Sequence, residues 1–106
     1  MADVIWERIA LQARIDHIKE SEFLFGPMTA IRFSEEIDKT IDYLRKYPET
    51  GFIEPLLTKK KVVFRAFIFK KRFKIIYHYD TTNDILIITD IWDTKRNPIT
   101  LKKRIH

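Results

Sequence analysis

The spacing of apolar residues changes near the middle of this 106-residue chain, and this change constrains the fold more than any other feature. Before Pro48, apolar residues recur at steps of three and four; after about Val62, they alternate with polar residues. The first pattern is typical of helices packed on a core, and the second of half-buried strands. The sequence therefore predicts helices followed by strands, an α+β class.

A helical hairpin is predicted for the first half. The first helix runs from about Glu7 to Phe25. Its predicted buried stripe consists of Leu11, Ile15, Ile18 and Phe25. Gly26-Pro27 ends this helix and begins the next, since Pro suits a first helical turn. The second predicted stripe consists of Ala30, Phe33, Ile37, Ile41, Leu44 and Tyr47. Pro48 ends the second helix, because the residue before a proline is pushed out of helical geometry.

Four strands are predicted around this hairpin. They are Val4–Trp6, Val62–Phe69, Phe73–Tyr79 and Ile85–Trp92. The last begins with a continuous apolar run, which indicates a central strand covered on both faces. The predicted order is βααβββ, with the helical hairpin packed on a mostly antiparallel, twisted sheet. At this length the chain forms one domain over residues 1–106.

Composition excludes several classes of function. The chain has no Cys and only three scattered His, so no disulfide and no metal site are predicted. Two Gly cannot build a phosphate-binding Gly-rich loop, and no cofactor is predicted. No stretch approaches the ~20 apolar residues of a membrane span, and the first residues lack the pattern of a signal peptide. A cytoplasmic protein with no membrane partner is expected.

Charge divides the chain into two unlike parts. Residues 1–58 hold seven Lys or Arg and eleven Asp or Glu, a net charge of −4. Residues 59–106 hold thirteen and four, a net charge of +9. Such asymmetry indicates an anionic partner for the basic part, either nucleic acid or an acidic protein segment.

Four stretches in this order resemble the RelE/ParE superfamily of bacterial toxins, and more closely its ParE-like branch. They are Val4–Trp6, residues 44–51 (LRKYPETG), residues 73–79 (FKIIYHY) and residues 85–98 (ILIITDIWDTKRNP). The last stretch ends in Arg96-Asn97-Pro98, which is similar to the Arg-x-Pro ending of the superfamily. The resemblance implies the toxin component of a type II toxin–antitoxin module for plasmid stabilisation, with growth inhibition as its effect.

The resemblance also implies candidate site residues. In RelE-like enzymes, Lys and Arg on the sheet neutralise the phosphate during RNA cleavage, and a Tyr or His near the C-terminus transfers protons. Here Arg65 and Arg96 are the candidate catalytic cations. The remaining basic surface, which can bind RNA or a protein partner, comprises Lys59, Lys60, Lys61, Lys70, Lys71, Arg72 and Lys95. No Tyr follows Pro98, and His106 is the only titratable ring beyond Trp92. This departure favours the ParE-like branch.

Several of these residues have a structural alternative. Arg65 can instead pack along aromatic surface or pair with a carboxylate. Lys70-Lys71-Arg72 is also an ordinary solvated turn. His78 is a candidate general base, although a surface sheet histidine is favoured, and His17 is predicted to be structural. Aromatic residues at alternating strand positions are predicted to be core.

Three functions remain open on sequence alone. The first is a ParE-like toxin that arrests growth by binding an essential target such as DNA gyrase. The second is a RelE-like, ribosome-dependent mRNA endoribonuclease, so enzymatic activity is undecided. The third is a non-toxic binding module on the same fold. All three share one predicted partner, a cognate acidic antitoxin that wraps the hairpin and sheet and folds on binding.

Overall fold

A computed structural model describes residues 1–105 and contains five strands and three α-helices. The strands are β1 (Asp3–Trp6), β2 (Phe52–Ile53), β3 (Arg65–Phe69), β4 (Phe73–Asp80) and β5 (Ile85–Asp93). The helices are α1 (Arg8–Phe25), α2 (Pro27–Lys46) and α3 (Pro98–Arg104), with a short 3₁₀ turn at Pro55–Leu57. None of the helices within this range is long and apolar enough to span a bilayer.

The strands form one sheet in the order β1-β5-β4-β3-β2. β1 runs parallel to β5, and every other neighbouring pair is antiparallel. The helical hairpin packs against one face of this sheet. The predicted α+β class and mostly antiparallel sheet are therefore confirmed.

The hairpin forms where the sequence predicts it, and α2 buries most of its predicted stripe. Gly26 has a φ of 92°, which lets the chain reverse between the helices, and Pro27 opens α2. Phe33, Ile37 and Leu44 are buried against the sheet. Tyr47 is the exception, because α2 ends at Lys46 and the Tyr47 side chain lies exposed.

The predicted stripe of α1 is wrong. Leu11, Ile15 and Phe25 are exposed, and only Ile18 packs on the core. The buried residues of α1 are instead small: Ala10, Ala13 and Ser21. His17 lies on the same side and its Nε2 is 2.8 Å from the carbonyl oxygen of Ile91, which confirms a structural role. Small side chains let α1 lie close to β5, so its packing is not visible in the spacing of its large apolar residues.

The strand predicted from Val62 begins only at Arg65. Val62 and Val63 are exposed and unpaired with any strand among the described residues. β-branched residues favour strands, but a strand also needs a hydrogen-bonded neighbour, and β2 reaches only Arg65 and Ala66. The two-residue β2 and the 3₁₀ turn lie between Pro48 and Val62, where the sequence predicts no helix or strand.

Each face of the sheet carries its own apolar core. We call the side covered by α1 and α2 the helical face, and the opposite side the second face. The core of the helical face includes Phe33, Ile37, Ile41, Leu44, Phe69, Ile75, Tyr77, Leu86, Ile88 and Ile91. The core of the second face consists of Leu57, Phe64, Ala66, Ile76, Trp92, Leu101 and Ile105. The aromatic strand residues are therefore core, as predicted. Pro98–Arg104, for which the sequence predicts no helix or strand, form α3, which is anchored by Leu101 and followed by the buried Ile105.

A bulge in β5 decides which side chains reach the second face. Tyr77 pairs with Ile88 and Ile76 pairs with Asp90, so Thr89 is an extra residue without a partner on β4. An extra residue reverses the alternation of side chains beyond it. Asp90 and Trp92 consequently lie on the second face, although strict alternation from Ile88 would place them against the helices.

Candidate functional site

Two carboxylates are buried beneath the second face, and each is paired with a cation. Asp90 accepts two hydrogen bonds from Arg104, with Nε–Oδ2 and Nη2–Oδ1 distances of 2.9 Å. Glu54 accepts one from Nζ of Lys74 at 2.8 Å. Both carboxylates are fully enclosed, where an unpaired charge would carry a large desolvation penalty. Neither is left as a free base.

These pairs are not among the residues that the sequence predicts for the site. The signal for one of them is Asp90 itself, a lone carboxylate inside an apolar strand, since a buried acid requires a partner. Its partner Arg104 lies beyond Pro98, where the sequence predicts no helix or strand. The partner of Glu54 is Lys74, which lies twenty positions along the chain, and no spacing rule connects the two.

Arg96, a predicted catalytic cation, stacks on Trp92. Its guanidinium carbon is 4.8 Å from the ring centroid, and that of Arg104 is 5.8 Å from the same ring. Trp92 is buried while Arg96 remains exposed. Arg96 makes no side-chain hydrogen bond or ion pair with residues 1–105, so it can contact a partner from this position.

Arg65, the other predicted catalytic cation, lies at the start of β3, which is separated from β5 by β4 in the sheet. Its Nη1 donates to the backbone oxygen of Gly51 at 2.8 Å and to that of Glu49 at 3.2 Å. These bonds tie the loop after α2 to the sheet. No hydrogen bond or ion pair joins Arg65 to Arg96 or His78 among the described residues.

The basic turn between β3 and β4 lies beside the end of the helical hairpin where α1 and α2 are connected at Gly26. Lys70 and Lys71 have φ values of 52° and 58°, which non-glycine residues rarely adopt. Arg72 makes two hydrogen bonds to Asp93, of 2.9 and 2.6 Å. A pocket of about 210 Å³ lies beside this turn. Its lining includes His17, Glu20, Phe25, Phe33, Lys70 and Arg72.

The predicted basic surface is thus divided between the two faces of the sheet, because Lys70 lies over Phe33 of the helical face and Arg96 lies over Trp92 of the second face. Lys95 and Arg96 lie close to Arg72, because Asp93 accepts hydrogen bonds from both Arg72 and the backbone nitrogen of Lys95. Lys59, Lys60 and Lys61 follow the 3₁₀ turn on the second face, where α3 packs beside them.

His78 lies on the second face but apart from any catalytic arrangement. Its ring packs edge-on against Phe64 at 5.4 Å, and its Nε2 is 4.0 Å from Glu7 Oε1. Burial lowers the pKa of His78, so the neutral imidazole is favoured near pH 7. His106 lies outside the described residues. Within residues 1–105, no three His, Asp or Glu side chains are grouped to hold a metal ion.

Asp93→Asn is expected to lower the free energy of unfolding by about 1 kcal/mol at pH 7. The hydrogen bonds from Arg72 hold the pKa of Asp93 below its usual range. Because the Arg72 side chain is 36% exposed, solvent screening keeps the effect small. A carboxyl whose folded-state pKa is lowered stabilises above its unfolded pKa, about 3.9, and this stability is lost as the pH falls through the folded pKa.

Urea unfolding of wild type and variant at several pH values checks this prediction. The difference between them should close below about pH 4. Asp42→Asn serves as the control, because Asp42 is exposed and its partner Arg45 is 3.6 Å away, so its effect should stay within ~0.5 kcal/mol at every pH. A difference for Asp93→Asn that persists unchanged to the lowest pH would contradict the prediction.

This arrangement defines a class of small α+β protein, in which a helical hairpin packs on one face of a mostly antiparallel sheet. Residues 4–98 match the family described as the ParE toxin of type II toxin–antitoxin system, parDE. The chain therefore belongs to the ParE toxin family, which confirms the ParE-like resemblance. It is the toxin component of a type II toxin–antitoxin system, and the family implies an antitoxin partner.

The fold has a relative among solved structures. A chain described as "Chromosomal ParDE TA system from P. aeruginosa" matches with a TM-score of 0.70 and 17% sequence identity. The match covers 88% of this chain and 96% of that chain. A comparison with curated proteins finds no match.

Proposed function

We propose that this protein arrests growth by binding an essential target such as DNA gyrase, without catalysis of its own. The observation that supports a binding role is that three cations on or beside the sheet are already engaged. Arg65 holds backbone carbonyls, Lys74 pairs with Glu54, and Arg104 pairs with Asp90. RNA cleavage needs a free acid–base pair beside free cations, and no Tyr follows Pro98 to provide one.

The family's antitoxin partner is proposed to be acidic and to bind across the helical hairpin. Large apolar side chains are exposed near the end of this hairpin where α1 and α2 are connected: Phe23, Leu24, Phe25, Met28 and Ile31. Phe23 is 88% exposed, and a cluster of this kind marks an interaction site. The adjacent pocket is flanked by Lys70 and Arg72, which favours an amphipathic segment that presents both apolar and acidic side chains.

A supercoiling assay with purified DNA gyrase tests the proposed target. Inhibition that rises with toxin concentration is expected, and addition of the co-expressed antitoxin should relieve it. Full supercoiling activity at a large molar excess of toxin would count against gyrase as the target. These assays depend only on binding and do not require the protein to cleave anything.

Induction in cells that lack the antitoxin separates the alternatives. Growth arrest with intact messages is expected for a non-catalytic toxin in the cytoplasm. Primer extension that shows cuts in ribosome-bound messages would instead support the endoribonuclease. Normal growth after induction would support a non-toxic binding module.

A further inference from the structure

The basic residues of the second face come from two parts of the sequence that contain no acid. Residues 55–79 and residues 94–106 have no Asp or Glu. The fold places parts of these stretches side by side, because α3 packs against the 3₁₀ turn Pro55–Leu57. Leu57 and Leu101, from the two stretches, share the core of the second face.

The charges on this surface are not neutralised by nearby acids. Seven cations lie on the loop after the 3₁₀ turn, on the turn after β5 and on α3: Lys59, Lys60, Lys61, Lys95, Arg96, Lys102 and Lys103. None of the seven forms an ion pair within residues 1–105. The acids beneath them, Glu54 and Asp90, are occupied by Lys74 and Arg104. The net field at this surface is therefore positive.

We propose that the second face binds the phosphate backbone of duplex nucleic acid, independently of sequence. This goes beyond the proposed function, which requires contact only with an antitoxin and a protein target. Six of the seven cations are lysines. Lysine is depleted at protein–protein interfaces and common in contacts to phosphates.

An exposed apolar cluster gives an antitoxin a site away from the second face. This cluster, Phe23 to Ile31, lies on the hairpin, which covers the helical face. An antitoxin on the hairpin therefore leaves the second face accessible, and the toxin can hold both partners at once.

The burial of aromatic rings distinguishes duplex from single strands. Proteins that bind single strands present exposed aromatic rings on which bases stack. Here Trp92 and Phe64 are both buried in the core of the second face.

Contact with phosphates alone predicts a dissociation constant of roughly 10⁻⁴–10⁻⁶ M at physiological salt.

Fluorescence anisotropy of the purified toxin with two unrelated 30-base-pair duplexes tests the proposal. Similar binding of both duplexes is expected. If about five phosphates are contacted, affinity should fall ~500-fold between 50 and 200 mM KCl. A labelled single-stranded RNA and a polyglutamate peptide are the competing ligands. Failure to bind either duplex at 50 mM KCl, or tighter binding of the RNA or the peptide, would overturn the proposal.

Matched charge variants locate the surface. The triple variant Lys61→Gln, Lys102→Gln, Lys103→Gln should weaken duplex binding at least about tenfold at 100 mM KCl. The slope of log affinity against log salt concentration should also become shallower by the equivalent of two to three phosphate contacts, since each contact contributes about −0.9. The control is Lys19→Gln, Lys39→Gln, Lys46→Gln, which removes the same charge from exposed positions of α1 and α2. It should bind within about twofold of wild type. Equal losses in the two triples would show that only net charge matters and would overturn the assignment.

Circular dichroism verifies that each triple variant is folded. If the α3 substitutions unfold the helix, the variant Lys59→Gln, Lys60→Gln, Lys61→Gln makes the same test in the exposed loop. The result is separable from that of the gyrase assay. A toxin that binds duplexes but leaves gyrase active would retain this inference and lose the proposed target.

Discussion

Replacement of Arg104 by Ala should lower the free energy of unfolding by about 3 kcal/mol, one of the largest losses expected from a single side chain. The substitution leaves the carboxylate of Asp90 enclosed without its two charge-assisted hydrogen bonds. An uncompensated buried charge costs more than the loss of a surface contact. The change also removes one of the two guanidinium groups stacked on Trp92. Equilibrium unfolding in guanidinium chloride measures the effect.

The neighbouring Lys103 provides the control for Arg104→Ala. It lies exposed on the same helix, so Lys103→Ala should change stability by no more than ~0.5 kcal/mol. The double variant Asp90→Leu, Arg104→Met removes both charges together. It should be much more stable than Arg104→Ala, because no buried charge remains unpaired. If Arg104→Ala and Lys103→Ala proved equally mild, the pair with Asp90 would not support the fold.

Gly51→Ala should destabilise the protein by roughly 3 kcal/mol through overpacking. A Cβ at this position would lie 2.5 Å from the hydroxyl oxygen of Tyr77 and 2.9 Å from the backbone oxygen of Ala66. The Tyr77 hydroxyl accepts a hydrogen bond from Gly51 N at 2.9 Å and donates one to Pro48 O at 2.8 Å. The added methyl group must therefore break a buried network. Thermal and urea unfolding measure the loss.

A double-mutant cycle with Tyr77→Phe locates the clash. Removal of the hydroxyl should itself cost about 1–3 kcal/mol, because Gly51 N and Pro48 O lose their partner. The same removal gives the new methyl group room, so the double variant should be less destabilised than the sum of the two single variants. Thr50→Ala, at an exposed neighbouring position, is the control and should be nearly neutral. Strict additivity would place the strain of Gly51→Ala elsewhere.

Sequence patterns predicted the parts of this fold that large apolar residues define. The stripe of α2 and the apolar run of β5 identified their elements because big side chains at regular spacing mark a buried face. The packing of α1 was missed, since Ala10, Ala13 and Ser21 carry little hydrophobic signal. α3 was missed because most of its residues are polar or basic, although Leu101 and Ile105 stand one helical turn apart.

The sequence proposed residues for the candidate site but could not predict how they are arranged. The charge pattern located basic segments, whose role in binding stays a prediction. It could not show that Arg65 binds backbone oxygens or that Arg72 pairs with Asp93, because both depend on contacts between distant parts of the chain. The pairing of Lys74 with Glu54 depends on the 3₁₀ turn, which no local sequence pattern predicted.

The extra residue in β5 also affects how relatives should be compared with this chain. Up to Ile88, even-numbered positions of the strand face the helices; beyond Thr89, even-numbered positions face the other way. Suppose that a relative lacks the extra residue and is aligned without a gap at Thr89. Over the last four residues of the strand, the alignment would then pair positions that face opposite sides of the sheet. In a homologue that lacks the extra residue, the equivalent of Asp90 would directly follow that of Ile88 and would still face α3, because side chains alternate along a regular strand. The face on which the acid of β5 lies, rather than its position in an ungapped alignment, therefore indicates which relatives can pair it with an arginine on a C-terminal helix.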